Sequence, residues 1–405
     1  MAAVVSCVAA PAIAQESRSE ERAQQQDQKP LAPNVPSGGE RFFDWIENYV
    51  SSPDHWYVTF GNLMPSSGPA PGVGYRRVLG DVARVNVRGA WSVRNYTLAE
   101  GVVELPFADE RFEVAGHARW RDGTQLPFYG LGDDALKAQR TSYALQTVDL
   151  GGSATFRPSR WFSIGAGASA MLVDNSDGRG RFPSIETVFD PSTAPGLLAS
   201  PDYLHAEATA AIDWRESEGY TRRGGYYAVT VHRYDDRTDD LYTFNEVEAD
   251  VQQFIPLLNE HWVIALRGLV STTDLKSDQQ VPYFLLPSLG GSTSLRGYPD
   301  GRFRDRHAML LSAEYRWIPG RILDMALFVD AGKVEARRRD LDFEDLRTSY
   351  GIGARFHAPA STILRVETAH GRKGTDSISR SAKASKRGTS CIGHVSQTIV
   401  ESLVS

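Results

Sequence analysis

From about Trp56 onward, apolar and polar residues alternate with a period of two, the pattern of strands whose two faces meet different surroundings. Val85, Val87, Trp91 and Val93 fall on one face, with Arg84, Asn86, Arg88, Ser92 and Arg94 on the other. Tyr227, Val229 and Val231 oppose Ala228, Thr230 and His232, and Val247, Ala249 and Val251 oppose Glu246, Glu248, Asp250 and Gln252. Charge this dense on one face demands water against it. A soluble β-sandwich would also alternate, but its strands are shorter, about 5–6 residues. Several segments here run to ten residues or more, as an inclined bilayer crossing requires. The pattern predicts strands over 56–63, 71–79, 82–96, 97–107, 111–121, 142–156, 161–172, 203–215, 225–235, 242–254, 261–273, 306–318, 322–333, 347–357 and 360–370, with a last one beyond 370 that the sequence defines poorly. The expected fold is all-β: a transmembrane antiparallel β-barrel of about 16 strands, an even number as in single-chain bacterial barrels.

The connections alternate as such a barrel requires, short turns at one end and longer loops at the other. Short links fall at Ala108-Asp109-Glu110, Arg157-Pro158-Ser159-Arg160, Ile318-Pro319-Gly320-Arg321 and His357-Ala358-Pro359-Ala360. Long ones cover about 122–141, 173–202, 274–306 and 335–347. Trp161, Trp214, Trp262 and Trp317 all sit beside short turns, which sorts them to one membrane interface as an aromatic girdle.

Composition agrees. No run of 18 or more apolar residues occurs, so an ordinary transmembrane helix is excluded, while 36 glycines, 8 Trp, 16 Tyr and 17 Phe suit many amphipathic strands. A mean hydropathy of -0.34 would by itself suggest a soluble chain. The formal charge of -6 leaves no basic stripe, and nucleic acid is not an expected partner.

The ends have their own character. MAAVVSCVAAPAIAQES is an Ala/Val-rich run ending in Ala12-Ile13-Ala14, the small-x-small pattern cut by signal peptidase, so 1–14 is expected to be a signal peptide, shortened at its start. Residues 15–55 are Gln/Glu/Arg-rich and then Pro/Gly-rich, a disordered periplasmic leader. With Cys7 removed, Cys391 is the one cysteine left, and no disulfide or thiolate metal site is expected between Ser17 and Thr389.

Two motifs carry the sharper reading. Leu289 to Phe303 reads LGGSTSLRGYPDGRF, and Leu327 to Gly332 reads LFVDAG, so an R-G-Y loop motif precedes an F-x-D-x-G strand motif. The pair resembles the BamA/TamA-type outer-membrane assembly proteins, the bacterial surface antigen family, in which an Arg-Gly-aromatic loop tip folds back into the barrel lumen. The resemblance covers about 55–370 and is strongest over 282–370. It implies an inward-folded long loop between strands 11 and 12, with Arg296, Gly297 and Tyr298 at its tip. Gly297 permits a sharp turn or a close approach, and Arg296 offers a permanently charged, planar fork of donors. Alternation turns Ser312, Glu314 and Arg316 inward on strand 12, and Phe328 and Asp330 inward on strand 13, with Gly332 completing the motif. Asp330 is the expected acceptor for Arg296, with Glu314 as a second carboxylate.

The resemblance also implies outer-membrane location, outer-membrane lipids and unfolded outer-membrane protein clients as partners, and no cofactor. The family usually carries periplasmic POTRA domains, and the short leader leads us to expect a member without one. After Gly371 the chain turns polar, 371–405, without the closing aromatic strand of the family. A shifted reading frame near residue 373 and a genuine extension both fit. No G-x-S-x-G, H-E-x-x-H, P-loop or paired-cysteine motif occurs and the nine histidines are scattered, so no catalytic or metal residue is expected. Asp174-Asn175-Ser176-Asp177-Gly178 misses calcium-loop spacing, and the Asp235 to Asp240 segment reads as a solvated hairpin. Two functions remain: a barrel that assists insertion or passage of proteins or lipids, and a passive pore or structural barrel with a loop plug.

Overall fold

A computed structural model describes residues 55–80, 83–217, 220–257, 261–318, 323–358, 361–371 and 375–382. The expected signal peptide, nearly all of the leader, and the tail from 383 onward lie outside them. The strands are β1 His55–Gly61, β2 Ala70–Leu79, β3 Ala83–Trp91, β4 Thr97–Phe107, β5 Phe112–Phe128, β6 Thr141–Ser159, β7 Phe162–Asp177, β8 Tyr203–Asp213, β9 Gly224–Asp236, β10 Phe244–Leu257 and β11 Trp262–Asp274. They continue with β12 Ser288–Leu289, β13 Phe303–Arg304, β14 His307–Trp317, β15 Leu323–Glu335, β16 Arg347–Ala358, β17 Ser361–Gly371 and β18 Thr375–Ala382. Sixteen of them form one antiparallel meander in which each strand bonds to the next and β11 passes directly to β14; β12 and β13 make a ribbon of their own. Among the described residues no helix is long and apolar enough to cross a membrane.

Contacts far apart in strand order show that the sheet curls. Arg347 on β16 bonds Asp134 in the β5–β6 loop at 2.9 Å, and Val334 on β15 donates its N–H to Asp133 at 3.2 Å. On a flat sheet those strands would stand roughly 40 Å apart at about 4.8 Å per strand. The edge strands β1 and β18 approach each other within 8 Å at their Cα atoms, but no ladder pairing joins them among the described residues.

The two faces of the wall follow the alternation. On β9, Val229 and Val231 are exposed outward while Ala228, Thr230 and His232 are buried inward, and on β14 Leu311, Tyr315 and Trp317 face out where Glu314 faces in. An apolar outer face and a polar inner one are the division expected of a wall between hydrocarbon and a polar lumen. Trp161, Trp214 and Trp317 are exposed at the short-turn end, and Trp262 stacks on Trp317 with centroids 5.7 Å apart.

Several strand boundaries differ from expectation. β3 stops at Trp91 rather than 96: Ser92 Oγ accepts the N–H groups of Arg94 and Tyr96 and closes a turn through Asn95 at φ 63°, so Val93 and Arg94 are turn residues. β5, β6 and β7 run to 17, 19 and 16 residues, longer than the 121, 156 and 172 limits allowed, because their hairpins keep pairing beyond the alternating segment. The poorly defined last strand is β18, formed by the first polar residues of the tail and paired with β17 from Leu364↔Ala382 to Gly371↔Thr375.

A lysine at Val231, in the middle of the outward band, is expected to lower stability by about 2–4 kcal/mol in phospholipid vesicles, the cost of that charge at a bilayer midplane. Urea titration of the vesicle-folded protein measures it, and a loss below about 1 kcal/mol would mean that this face does not meet hydrocarbon.

Candidate functional site

The segment 275–306 leaves β11, enters the interior and returns to β14. After the polar run Lys276 to Gln280, its first half turns apolar, and Val281, Tyr283, Phe284, Leu285 and Leu286 are buried against Phe128, Tyr143, Tyr203 and Phe244 of the wall. Its second half opens with Gly290 and Gly291 at φ 125° and 89°, a left-handed pair that only glycine adopts without strain. Ser294 Oγ holds this bend by bonding both the N–H and the C=O of Gly290 at 2.9 Å.

The bend delivers Arg296 to the inner surface of β14 to β17. Its Nε and Nη2 meet the two oxygens of Asp330 at 2.8 and 2.6 Å, a two-pronged pairing that matches the planar guanidinium. Its backbone N–H also donates to Asp330, at 3.2 Å, its Nη1 bonds Glu314, and its Nη2 bonds Ser312 Oγ at 3.0 Å. The guanidinium lies 3.6 Å above the ring centre of Phe328, which supplies a cation–π contact from below. Asp330 is fully buried and Arg296 is 4 % exposed. The structure therefore brings Arg296 together with Asp330, Glu314 and Phe328.

Arg355 on β16 bonds Glu314 at 2.8 Å and Glu367 at 3.2 Å, Arg365 on β17 bonds Glu367 at 2.6 Å, and Arg316 bonds Glu314 at 2.9 Å. Four guanidiniums thus share three carboxylates across four neighbouring strands. Arg355, Arg365 and Glu367 escaped the sequence reading. Their inward position followed from alternation, but nothing in their spacing tied them to residue 296.

The glycines act by close approach. A Cβ on Gly297 would stand 2.5 Å from Ser349 Cβ and 2.7 Å from the backbone N of Gly371, so the loop backbone lies directly on β16 and β17. Gly371 faces it in kind, since a Cβ there would meet the carbonyl oxygen of Gly297 at 2.9 Å. Of the two roles foreseen for Gly297, the approach is the one that holds, because its φ is not left-handed. Gly332 gives room to Leu289 Cδ1 and the Met309 carbonyl in the same way. Tyr298 is buried with Leu289, Leu295, Phe303 and Leu310, and donates its hydroxyl to the Thr348 carbonyl at 3.3 Å.

Further anchors bind the same segment to distant parts of the wall. Asp300 accepts hydrogen bonds from Ser66 N and Oγ at 2.7 and 3.2 Å, and Arg304 bonds the Tyr143 hydroxyl at 3.2 Å. Burial pushes the Asp300 carboxyl up from its ordinary range, against the pull of the Ser66 bonds. At the other end of the wall the β8–β9 connection reaches inward, where Tyr220 donates to Asp324 at 2.7 Å and Thr221 C=O accepts from Arg316 at 3.3 Å.

Two weaker motifs resolve as ordinary structure. Asp236 caps its hairpin by accepting N–H groups of Thr238, Leu241 and Tyr242 at 2.9 to 3.1 Å. Asn175 bonds the carbonyls of Gly196, Leu197 and Ala199, so the Asp174 to Gly178 stretch tethers a loop. The histidines are less scattered than they looked: His205 and His232 meet at 3.2 Å.

Replacing Arg296 by alanine leaves Asp330 and Glu314 buried without their shared cation, a change worth about 3–5 kcal/mol for a fully buried pair. Residues 280–305 should then become cleavable by trypsin and chymotrypsin in the folded protein, and lysine should not rescue because it lacks the planar fork. Gly297→Ala should loosen the same segment at a cost of about 1–3 kcal/mol by overpacking, with the ion cluster intact. Wild-type protease resistance in all three variants would refute this clamp.

Residues 80–373 match the model of the Omp85 superfamily domain. Among solved structures the chain is similar to BamA from Haemophilus ducreyi lacking POTRA domains 1–3, with a TM-score of 0.59 and 18% identity over 81% of this chain and 69% of that one. It is also similar to CdiB from Escherichia coli, with a TM-score of 0.53 and 14% identity over 82% of this chain and 62% of that one. At these identities the likeness shows a shared fold. A comparison with curated proteins found no match. The family match takes in well over half of the chain, across the docked loop and the strand that receives it, and the chain belongs to the Omp85 superfamily.

Proposed function

We propose that this protein is an outer-membrane barrel of a Gram-negative bacterium that assists the insertion or passage of proteins, or of lipids, through the membrane. It works without covalent chemistry, and its partners are outer-membrane lipids and unfolded outer-membrane protein clients. The observation that carries this reading is the pair of edge strands: β1 and β18 come close without pairing among the described residues. An unpaired strand edge is a template for another strand, and a client hairpin could add to it by backbone hydrogen bonds. Open edges are not tolerated against lipid, so such a seam has to be covered by something that can leave.

The docked loop supports the same reading. Gly297 rests on Ser349 of β16 and Gly371 of β17, the strand that bonds the edge strand β18, while Arg296 ties β14, β15 and β17 together. The loop thus stiffens the wall beside the seam and leaves the edge itself free. A second reading, a passive or structural barrel with a loop plug, draws on the aromatic cluster around Tyr283 and the inward β8–β9 connection, which fill the interior toward both ends.

The folding rate of a model outer-membrane barrel into liposomes, with and without this protein already inserted, separates the two. Acceleration that is lost in Arg296→Ala is expected; no acceleration by the wild-type protein would leave the plugged barrel as the better reading.

A further inference from the structure

Among the described residues, the docked loop leaves unused a cluster of two histidines and a glutamate in the wall. His205 and Glu207 lie two residues apart on β8, so both point inward, and His232 on β9 is the register partner of Glu207. Their ligand atoms all lie within 4.8 Å of one another. His205 Nε2 stands 3.2 Å from His232 Nδ1, and Glu207 Oε2 is 4.0 Å from that same nitrogen. Zinc–nitrogen bonds of about 2.0–2.1 Å in a tetrahedron put neighbouring donor atoms roughly 3.3–3.4 Å apart, so the histidine pair already has a coordination edge and the carboxylate is one small rotation from it.

The surroundings suit the same occupant. Gly167 on β7 pairs with Glu207, and a Cβ there would stand 3.1 Å from Glu207 Oε1, so the glycine leaves the carboxylate its place. Tyr234 stacks on the His205 ring with centroids 4.5 Å apart and holds its plane. On β10, Glu246 and Glu248 lie opposite His232 and Thr230 and add two buried carboxyl groups along this side of the interior. The neighbouring His117–Asp149 pair, bonded at 2.7 Å on β5 and β6, satisfies itself and stays outside the set.

We propose that His205, Glu207 and His232 form a site for a divalent transition-metal ion, zinc being the best match, on the lumen face of β8 and β9. Two imidazoles and one carboxylate are a donor set that zinc accepts with a water or a fourth ligand completing the shell. Both imidazoles bind as neutral bases, the hydrogen bond between them giving way to two bonds to the metal. Their protons then sit on His205 Nδ1 and His232 Nε2. The ion would join two adjacent strands far along the sheet from the Arg296 cluster, so the site is independent of the assembly reading.

Full-length protein folded in detergent micelles, stripped with chelator and then loaded with cobalt(II), tests it. The expected result is about one cobalt per chain after gel filtration, visible absorption bands, and displacement of cobalt by zinc. His205→Gln and His232→Gln should each weaken zinc binding at least ~100-fold and Glu207→Gln about 10-fold, while heat-modifiable gel mobility shows that the barrel still folds. The tail carries a thiol at Cys391 and an imidazole at His394, so a Cys391→Ser, His394→Gln background should keep the metal. Retention unchanged in the two histidine variants, or no retained metal in the wild-type protein, would overturn the site and leave a hydrogen-bonded histidine pair.

Discussion

The structure of the inner wall turns on one requirement: Arg296 must keep its charge in a place where water cannot shield it. An arginine cannot discharge itself, so the burial of its guanidinium is tolerable only with carboxylates held at hydrogen-bond distance on fixed strands. Asp330 and Glu314 do this from β15 and β14, Glu367 adds a third from β17, and Phe328 closes the face that no carboxylate can reach. The converse matters equally. Arg316, Arg355 and Arg365 neutralise Glu314 and Glu367 from the wall itself, whereas Asp330 takes its ion pair from the loop, so the wall needs the arginine as much as the arginine needs the wall. Gly297, Gly332 and Gly371 are the steric side of the same arrangement, since each lets main chain come where a side chain would keep it away.

Most of the architecture could be read from periodicity, because each strand separates two solvents and every second residue records which one it meets. That is why inward assignments on β9, β10, β14 and β15 needed no tertiary information. What alternation cannot record is how far a hairpin continues once the regular apolar–polar pattern stops, and β5 to β7 overran their expected ends for that reason. Nor can it reveal a turn closed by a single hydroxyl, as Ser92 closes the one after β3.

The candidate site was legible in part. Arg296, Asp330 and Glu314 came from a motif pair together with strand parity, whereas Arg355, Arg365 and Glu367 are set by register between strands, and register is a property of the assembled sheet. His205 and His232 are the same case: 27 residues separate them in sequence, and a single hairpin brings their rings together. An H-x-E on one strand followed by an inward histidine on the next was the signal available, and it means nothing until the pairing is known.

The uneven strand lengths have a geometric consequence. At about 3.4 Å per residue and an inclination of about 45°, the 19 residues of β6 rise roughly 45 Å, well over a hydrocarbon core about 30 Å thick, while the nine of β3 rise only about 22 Å. The rim is therefore a slope, high around β5 to β7 and low around β2 to β4. In a bilayer a wall of this shape would overtop the headgroups on one side and end near their level on the other, a fence from one direction and a doorstep from the other.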